Sequence, residues 1–346
     1  MAAGNLAVLK GIVMGRRSLR FALLVLSGGL VVASQSPIQA GQVSQGGPGA
    51  QVKKAYKTPR TPWGDPDLQG NYTNLYEAGT PLERPDEFAG RKLSEITGAE
   101  LRAAKKAIQD NTIQRFETPF DAPSNWWQDA FRLEDGAQAW LITDPEDGKI
   151  PPLTPEGRQR AASARQAVYA GGSDSYEDRS LYDRCITRGF PSSGMPTIYG
   201  NSSRIVQGPG FVAIQYEMIH ETRLIPIDSQ PRPHLPKSIE LDMGDPRGHW
   251  EGDTLVVETT NFRTRSIYRN ANPETLRFTE RFTRTAADKV RWSVTVEDPK
   301  TWTKPWTFSL PLTMNDNEPI MLYECHEGNY GLRNILSAAR AEERAQ

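Results

Sequence analysis

The groups best suited to chemistry in this chain are imidazoles set beside carboxylates on alternating segments. Val212, Ile214, Tyr216 and Met218 occupy one parity of the run from Phe211, and the same parity continues to His220. Leu276, Phe278, Glu280 and Phe282 share a face on which one acid lies among apolar neighbours. Ile320, Leu322, Glu324 and His326 form a third face, ending in an acid and an imidazole. Successive side chains of a strand point to opposite sides, so shared parity predicts a shared face. A buried carboxylate without a partner is costly, which predicts pairing or a site. His220, His326, Glu280 and Glu324 are therefore the candidate acid–base set. Tyr216, Arg223, Trp250, Trp127 and Asn329 are the candidate ligand contacts. Arg204 and Arg281 are further possible partners for the acids. His249 lies at a hairpin, with Glu251 expected to face solvent. His234 lies in Pro231-Arg-Pro-His-Leu-Pro236 and reads as a surface-loop residue without a role.

The elements that must hold these groups are strands. Alternation predicts them at Arg204–Gln207, Phe211–Met218, Thr222–Ile227, Ile239–Met243, Thr254–Thr260, Leu276–Arg284, Val290–Val296, Phe308–Leu312 and Ile320–Cys325. Gly208-Pro-Gly210 and Glu251-Gly-Asp253 read as hairpin turns. Short connections make neighbours antiparallel, and a long meander hides its edges most simply by closing into a barrel. The expected fold is mainly β: an antiparallel meander closing into a barrel with peripheral helices. Those helices are predicted near 95–115, where Leu101, Ala104 and Ile108 recur at helical spacing, near 154–170, where Pro155 sits at a first helical position, and over Leu332–Arg344. Shorter strands are expected from Leu68 and over Ala137–Thr143. Trp126-Trp127 reads as a core end or a pocket wall.

The N-terminus has the order of an export signal: Arg16, Arg17 and Arg20, then an apolar run from Phe21 to Ala33, then small and polar residues to Ala40. The run is too short and too interrupted by glycine for a membrane span. Arg16-Arg17-Ser18-Leu19 partly matches a twin-arginine signal, and a general secretory signal is the alternative. The expected domains are a signal peptide at 1–40, a Gly-rich linker at 41–57 and one barrel-like domain at 58–346. A periplasmic or secreted location follows, with no stable membrane anchor after cleavage.

Export governs the reading of the two cysteines, Cys185 and Cys325. An even count in an oxidising compartment favours a bridge, and a thiolate ligand beside His326 is the alternative. Closing so long a loop is worth on the order of 4–5 kcal/mol in the chain-entropy model. The formal net charge of -1 gives no electrostatic case for nucleic acid. There is no Gly-x-Ser-x-Gly elbow, dinucleotide fingerprint, phosphate loop or His-Glu-x-x-His helix. No cofactor is expected and no metal ligand is assigned, a divalent metal held in space by three histidines and a Glu being a third, weaker option.

Trp63-Gly-Asp-Pro-Asp-Leu-Gln-Gly70, Leu181-Tyr-Asp-Arg-Cys185, Gly248-His-Trp-Glu-Gly-Asp-Thr-Leu255 and Cys325-His-Glu-Gly-Asn-Tyr-Gly331 together resemble a widespread family of secreted bacterial proteins. The resemblance spans nearly all of the mature chain and carries no activity over. Leu68-Gln-Gly-Asn-Tyr72 also resembles the Gly-x-Trp opening of lipocalin-like barrels, with Tyr72 where that opening has Trp. Two functions follow as expectations. One is binding of a hydrophobic or aromatic small molecule in a barrel cavity. The other is a cofactor-independent lyase, hydratase or isomerase using a His/Glu pair in that cavity.

Overall fold

The computed structural model describes residues 56–116, 136–169, 173–197, 199–228, 232–317 and 319–345. Strong alternation produces the strands. In β9 (Lys289–Glu297) Val290, Trp292, Val294 and Val296 are buried while Lys289, Arg291, Ser293 and Thr295 are not. β4 (Phe211–Tyr216) buries Val212, Ile214 and Tyr216 in the same way. The other long strands are β3 (Ser202–Gly208), β5 (Thr222–Pro226), β6 (Asp245–Glu251), β7 (Thr254–Thr260), β8 (Arg277–Ala286) and β10 (Trp306–Met314). Two short ones, β1 (Gly70–Thr73) and β2 (Ile142–Asp144), come earlier in the chain.

Nine strands run in the order β5-β4-β3-β1-β10-β9-β8-β7-β6, every neighbouring pair antiparallel, and β2 adds to β10. The hairpin expected at Gly208-Pro-Gly210 joins β3 to β4, with Gly210 at φ +82°. β1 is the joint of the barrel: it pairs with β3 on one side and β10 on the other. The two ends of the path meet just past β5, where Ile227 bridges Gly248 in parallel. A Cβ on Gly248 would stand 2.5 Å from the Ile227 side chain, so this close approach requires glycine. The sheet is thus a nearly closed antiparallel barrel, which protects its edges.

Two expected strands are not formed. Over Ile239–Met243 the chain turns, and the side-chain amide of Asn261 donates to the carbonyls of Leu235, Pro236 and Ile239. Those groups are satisfied by a side chain instead of a ladder. Ile320–Cys325 is also irregular. Its neighbour in sequence, β10, is already flanked by β1 and β9, so no sheet edge is open there.

The barrel core is aromatic. Phe190, from the loop before β3, enters it and meets Phe278 edge-on at 4.9 Å. Trp292 meets Phe308 edge-on at 5.7 Å. Each buried large apolar side chain stabilises the fold by roughly 1.5–3 kcal/mol. Gly194 packs on the Trp292 ring so closely that a Cβ there would lie 2.6 Å from it. A cavity at this end, lined by Asn74, Ser193, Gly194 and Tyr216 among others, measures about 20 Å³. That holds on the order of one water and no larger ligand.

The helices are peripheral: α1 (Gly98–Phe116), α2 (Pro155–Tyr169) and α3 (Gly331–Ala345). α1 covers a second small core of Phe88, Ile96, Ala139 and Trp140 through Leu101 and Ala104. It also buries Lys105 completely, 2.5 Å from Glu77 and bonded to Thr80. Burial holds this ammonium below its ordinary pKa, against the attraction of Glu77.

Candidate functional site at the rim of the barrel

The interior gathers three of the expected site residues into one hydrogen-bonded network, in which Arg223 Nε finds no partner among the described residues. Arg223 Nη2 donates to Glu280 Oε2 at 2.7 Å and Nη1 to Oε1 at 3.0 Å, a bidentate pair with both side chains at most 1% exposed. Trp292 Nε1 donates to the same Oε1 at 3.0 Å, and Arg223 also reaches Thr259 Oγ1 at 3.1 Å. The guanidinium lies 4.1 Å from the Phe190 ring centroid. Tyr216, 3.5 Å from Arg223 Nη1, has its phenol pushed up to about 12 by burial, against the Arg223 charge. Glu280 therefore has partners on both oxygens and no opening of ligand size beside it.

The imidazoles are elsewhere. His220, His326 and Glu324 are exposed and do not face the barrel interior. The parity argument fails because β4 ends at Tyr216, and Ile219 and His220 then adopt positive φ of 62° and 46°. His326 and Glu324 lie on the irregular segment that replaces an expected strand. The interior cavity does not bring a His/Glu pair together. Trp250 is half-buried against the barrel core. His249 is half-buried, 3.3 Å from Glu251, which Arg281 also contacts. Trp127, with the leader and Trp126, lies outside the described residues.

The rim is where other expected residues converge. Cys185 and Cys325 form a disulfide with Cα atoms 5.7 Å apart, which removes the thiolate-ligand alternative. Asn329 Nδ2 approaches Cys185 Sγ at 3.5 Å, and His220 Nδ1 lies 3.2 Å from the Tyr323 carbonyl. The bridge places Tyr182, three residues before Cys185, beside Tyr323, two before Cys325. Tyr199 stacks on Tyr323 with centroids 6.4 Å apart and planes 10° from parallel. The hydroxyls of Tyr182, Tyr199 and Tyr323 interact with one another. Burial, then contact with Tyr199, pushes the Tyr182 and Tyr323 phenols upward, so they remain neutral hydrogen-bond donors at ordinary pH.

Arg188 completes the group. Its guanidinium lies 5.7 Å from the Tyr182 ring centroid. Burial holds it below its ordinary pKa, opposed by the three neighbouring tyrosines. Its Nη1 is buried and has no hydrogen-bond partner among the described residues. Two adjoining clefts open here. One, of about 420 Å³, is lined by Tyr182, Arg188, Ser192, Thr197, Tyr199 and Met218. The other, of about 300 Å³, runs between Tyr182, Tyr199, Tyr323 and the apolar residues Leu332 and Ile335 of α3. These are volumes of small-molecule size.

Among the described residues no group of three or more His, Cys, Asp or Glu is placed to hold a metal ion, and no helix is long and apolar enough to cross a membrane. Arg188, Tyr182, Tyr199 and Tyr323 are missing from the expected site. The available signal was the recurrence of a tyrosine just before each cysteine, since a bridge brings both into register. Compared with family models, curated proteins and solved structures, the chain matches none.

Proposed function

We propose that this chain is an exported binding protein whose site is the tyrosine–arginine rim cleft, and that its ligand is a small molecule with an aromatic or flat apolar body and one anionic group. The buried, unpartnered Nη1 of Arg188 carries this reading. A buried Nη1 without an acceptor leaves a desolvation cost unmet, and a carboxylate from a ligand would meet it. Neutral phenols around it supply further donors, while the exposed faces of Tyr182 and Tyr199 offer stacking surface. The disulfide and the charged-then-apolar N-terminus support export. The family resemblance of the four motifs is part of the same proposal.

Benzoate, benzamide and cyclohexanecarboxylate separate the components of the reading. Calorimetry should show saturable benzoate binding, weaker binding of cyclohexanecarboxylate for want of stacking, and loss of at least tenfold for neutral benzamide. Equal affinity for benzoate and benzamide would remove the role of Arg188.

A further inference from the structure

His234, which reads from sequence as an inert loop residue, is the most carefully oriented histidine of the described chain. Its Nδ1 lies 2.9 Å from Asp245 Oδ2, and the same oxygen accepts the Leu235 N–H at 2.9 Å. Arg247 Nη2 lies 3.1 Å from the other oxygen. The Asp245 side chain is only 4% exposed, so its charge is fixed in place by these three donors. The loop is pinned as well: Asn261, at φ 58°, donates from its amide to the carbonyls of Leu235 and Pro236 at 2.9 and 3.2 Å.

A carboxylate can only accept, so Nδ1 carries the proton, and Nε2 is the nitrogen that can accept when the ring carries one proton. No other hydrogen bond of this ring is formed among the described residues. The ring lines a cleft of about 340 Å³ that includes Phe262 and Leu276 from the barrel core. Lys237 and Arg277 at this cleft are matched by Glu240 and Glu274, so it has no net preference for an anion or a cation. An oriented imidazole acceptor beside Leu235, Phe262, Pro273 and Leu276, with the two carboxylates of the cleft balancing its two cations, suits a neutral molecule that donates a hydrogen bond.

We propose that this cleft is a second ligand site, specific for a neutral hydroxylated molecule with an apolar body, such as a phenol, whose O–H donates to Nε2 of His234. The site is independent of the rim cleft. The probe is phenol, with anisole as the same ring lacking the O–H. In ¹⁵N spectra of the full mature chain, His234 should be the Nδ1–H tautomer. Its Nε2 signal should shift saturably with phenol and at least tenfold less with anisole. His234→Phe should abolish saturable phenol binding, whereas Arg188→Met should leave it intact. An Nε2–H tautomer, equal responses to phenol and anisole, or unchanged phenol binding by a folded His234→Phe variant would each overturn the proposal. The tautomer and the phenol–anisole comparison use the unsubstituted protein, so they stand even where the variant fails to fold.

Discussion

Arg223 and Arg188 make an internal comparison. Both guanidiniums sit over an aromatic ring, Phe190 for the first and Tyr182 for the second, and both have tyrosine hydroxyls nearby. Phe190 and Arg188 even belong to the same loop, two residues apart. Arg223 is buried in the barrel and spends Nη1 and Nη2 on Glu280, Thr259 and Tyr216. Arg188 is half-buried at the rim and leaves Nη1 without a partner. Arg223 Nε is also without a partner, so the difference lies in the surroundings: Arg188 lines a cleft of small-molecule size, and Arg223 lies where the cavity holds no more than a water. An ion pair bonded through both carboxylate oxygens specifies packing, whereas an unpartnered donor at the edge of a cleft is poised for a ligand. Substitutions should therefore separate stability in the barrel from binding at the rim.

The largest effect joins the two regions. The Cys185–Cys325 bridge closes 140 residues, a constraint worth about 5 kcal/mol in the chain-entropy model. Cys185→Ser with Cys325→Ser should lower the urea-unfolding free energy by up to that amount. It should also abolish benzoate binding, because Tyr323 loses its tether. Binding that survives in the folded double variant would separate the bridge from the site.

Next is the interior pair. Glu280→Leu strands a buried guanidinium and should cost about 3–5 kcal/mol in urea unfolding. Adding Arg223→Met should restore most of the loss, and a strictly additive cycle would deny the pairing.

Alkaline pH offers a milder perturbation. Burial raises Tyr72 and Tyr216 from 10.0 to about 12. The folded state thus favours the neutral phenols. Their contribution is complete below pH 10 and is lost as pH rises toward 12, at no more than about 1.4 kcal/mol per pH unit for each. Tyr216→Phe should flatten that decline in urea titrations, and an unchanged slope would remove Tyr216 from it. Of similar size, Gly194→Ala should cost about 1–3 kcal/mol by pressing on Trp292, whose Nε1 is tied to Glu280. Thermal unfolding reads this, and an unchanged midpoint would show that the plug yields.

Much of the barrel was legible because period-2 alternation is strong in β4, β8 and β9, where one face meets the core. The insertion of β1 between β3 and β10 was not legible, since four residues carry no signal of their distant partners. Parity located Glu280 in the interior but misdirected His220, because one left-handed kink after Tyr216 ends the strand. For His326 the error was the element itself: Ile320–Cys325 alternates like a strand, yet no sheet edge is open beside it. The cysteine pair was legible from its even count and the expected compartment. The rim cleft was not, because Tyr182, Arg188, Tyr199 and Tyr323 lie on loops without periodicity, and only the bridge and the tertiary fold assemble them.

The division of roles, Arg188 for a ligand and Arg223 for the fold, is open to direct test. Paired calorimetry and urea unfolding of Arg188→Met test it most directly. The account predicts that the urea midpoint stays within about 0.5–1 kcal/mol of the parent, since little intramolecular hydrogen bonding is lost with Nη1. It predicts a fall of roughly 10- to 100-fold in benzoate affinity, the value of a charge-assisted hydrogen bond. Unchanged benzoate affinity, or a loss of stability as large as that of Glu280→Leu, would contradict it.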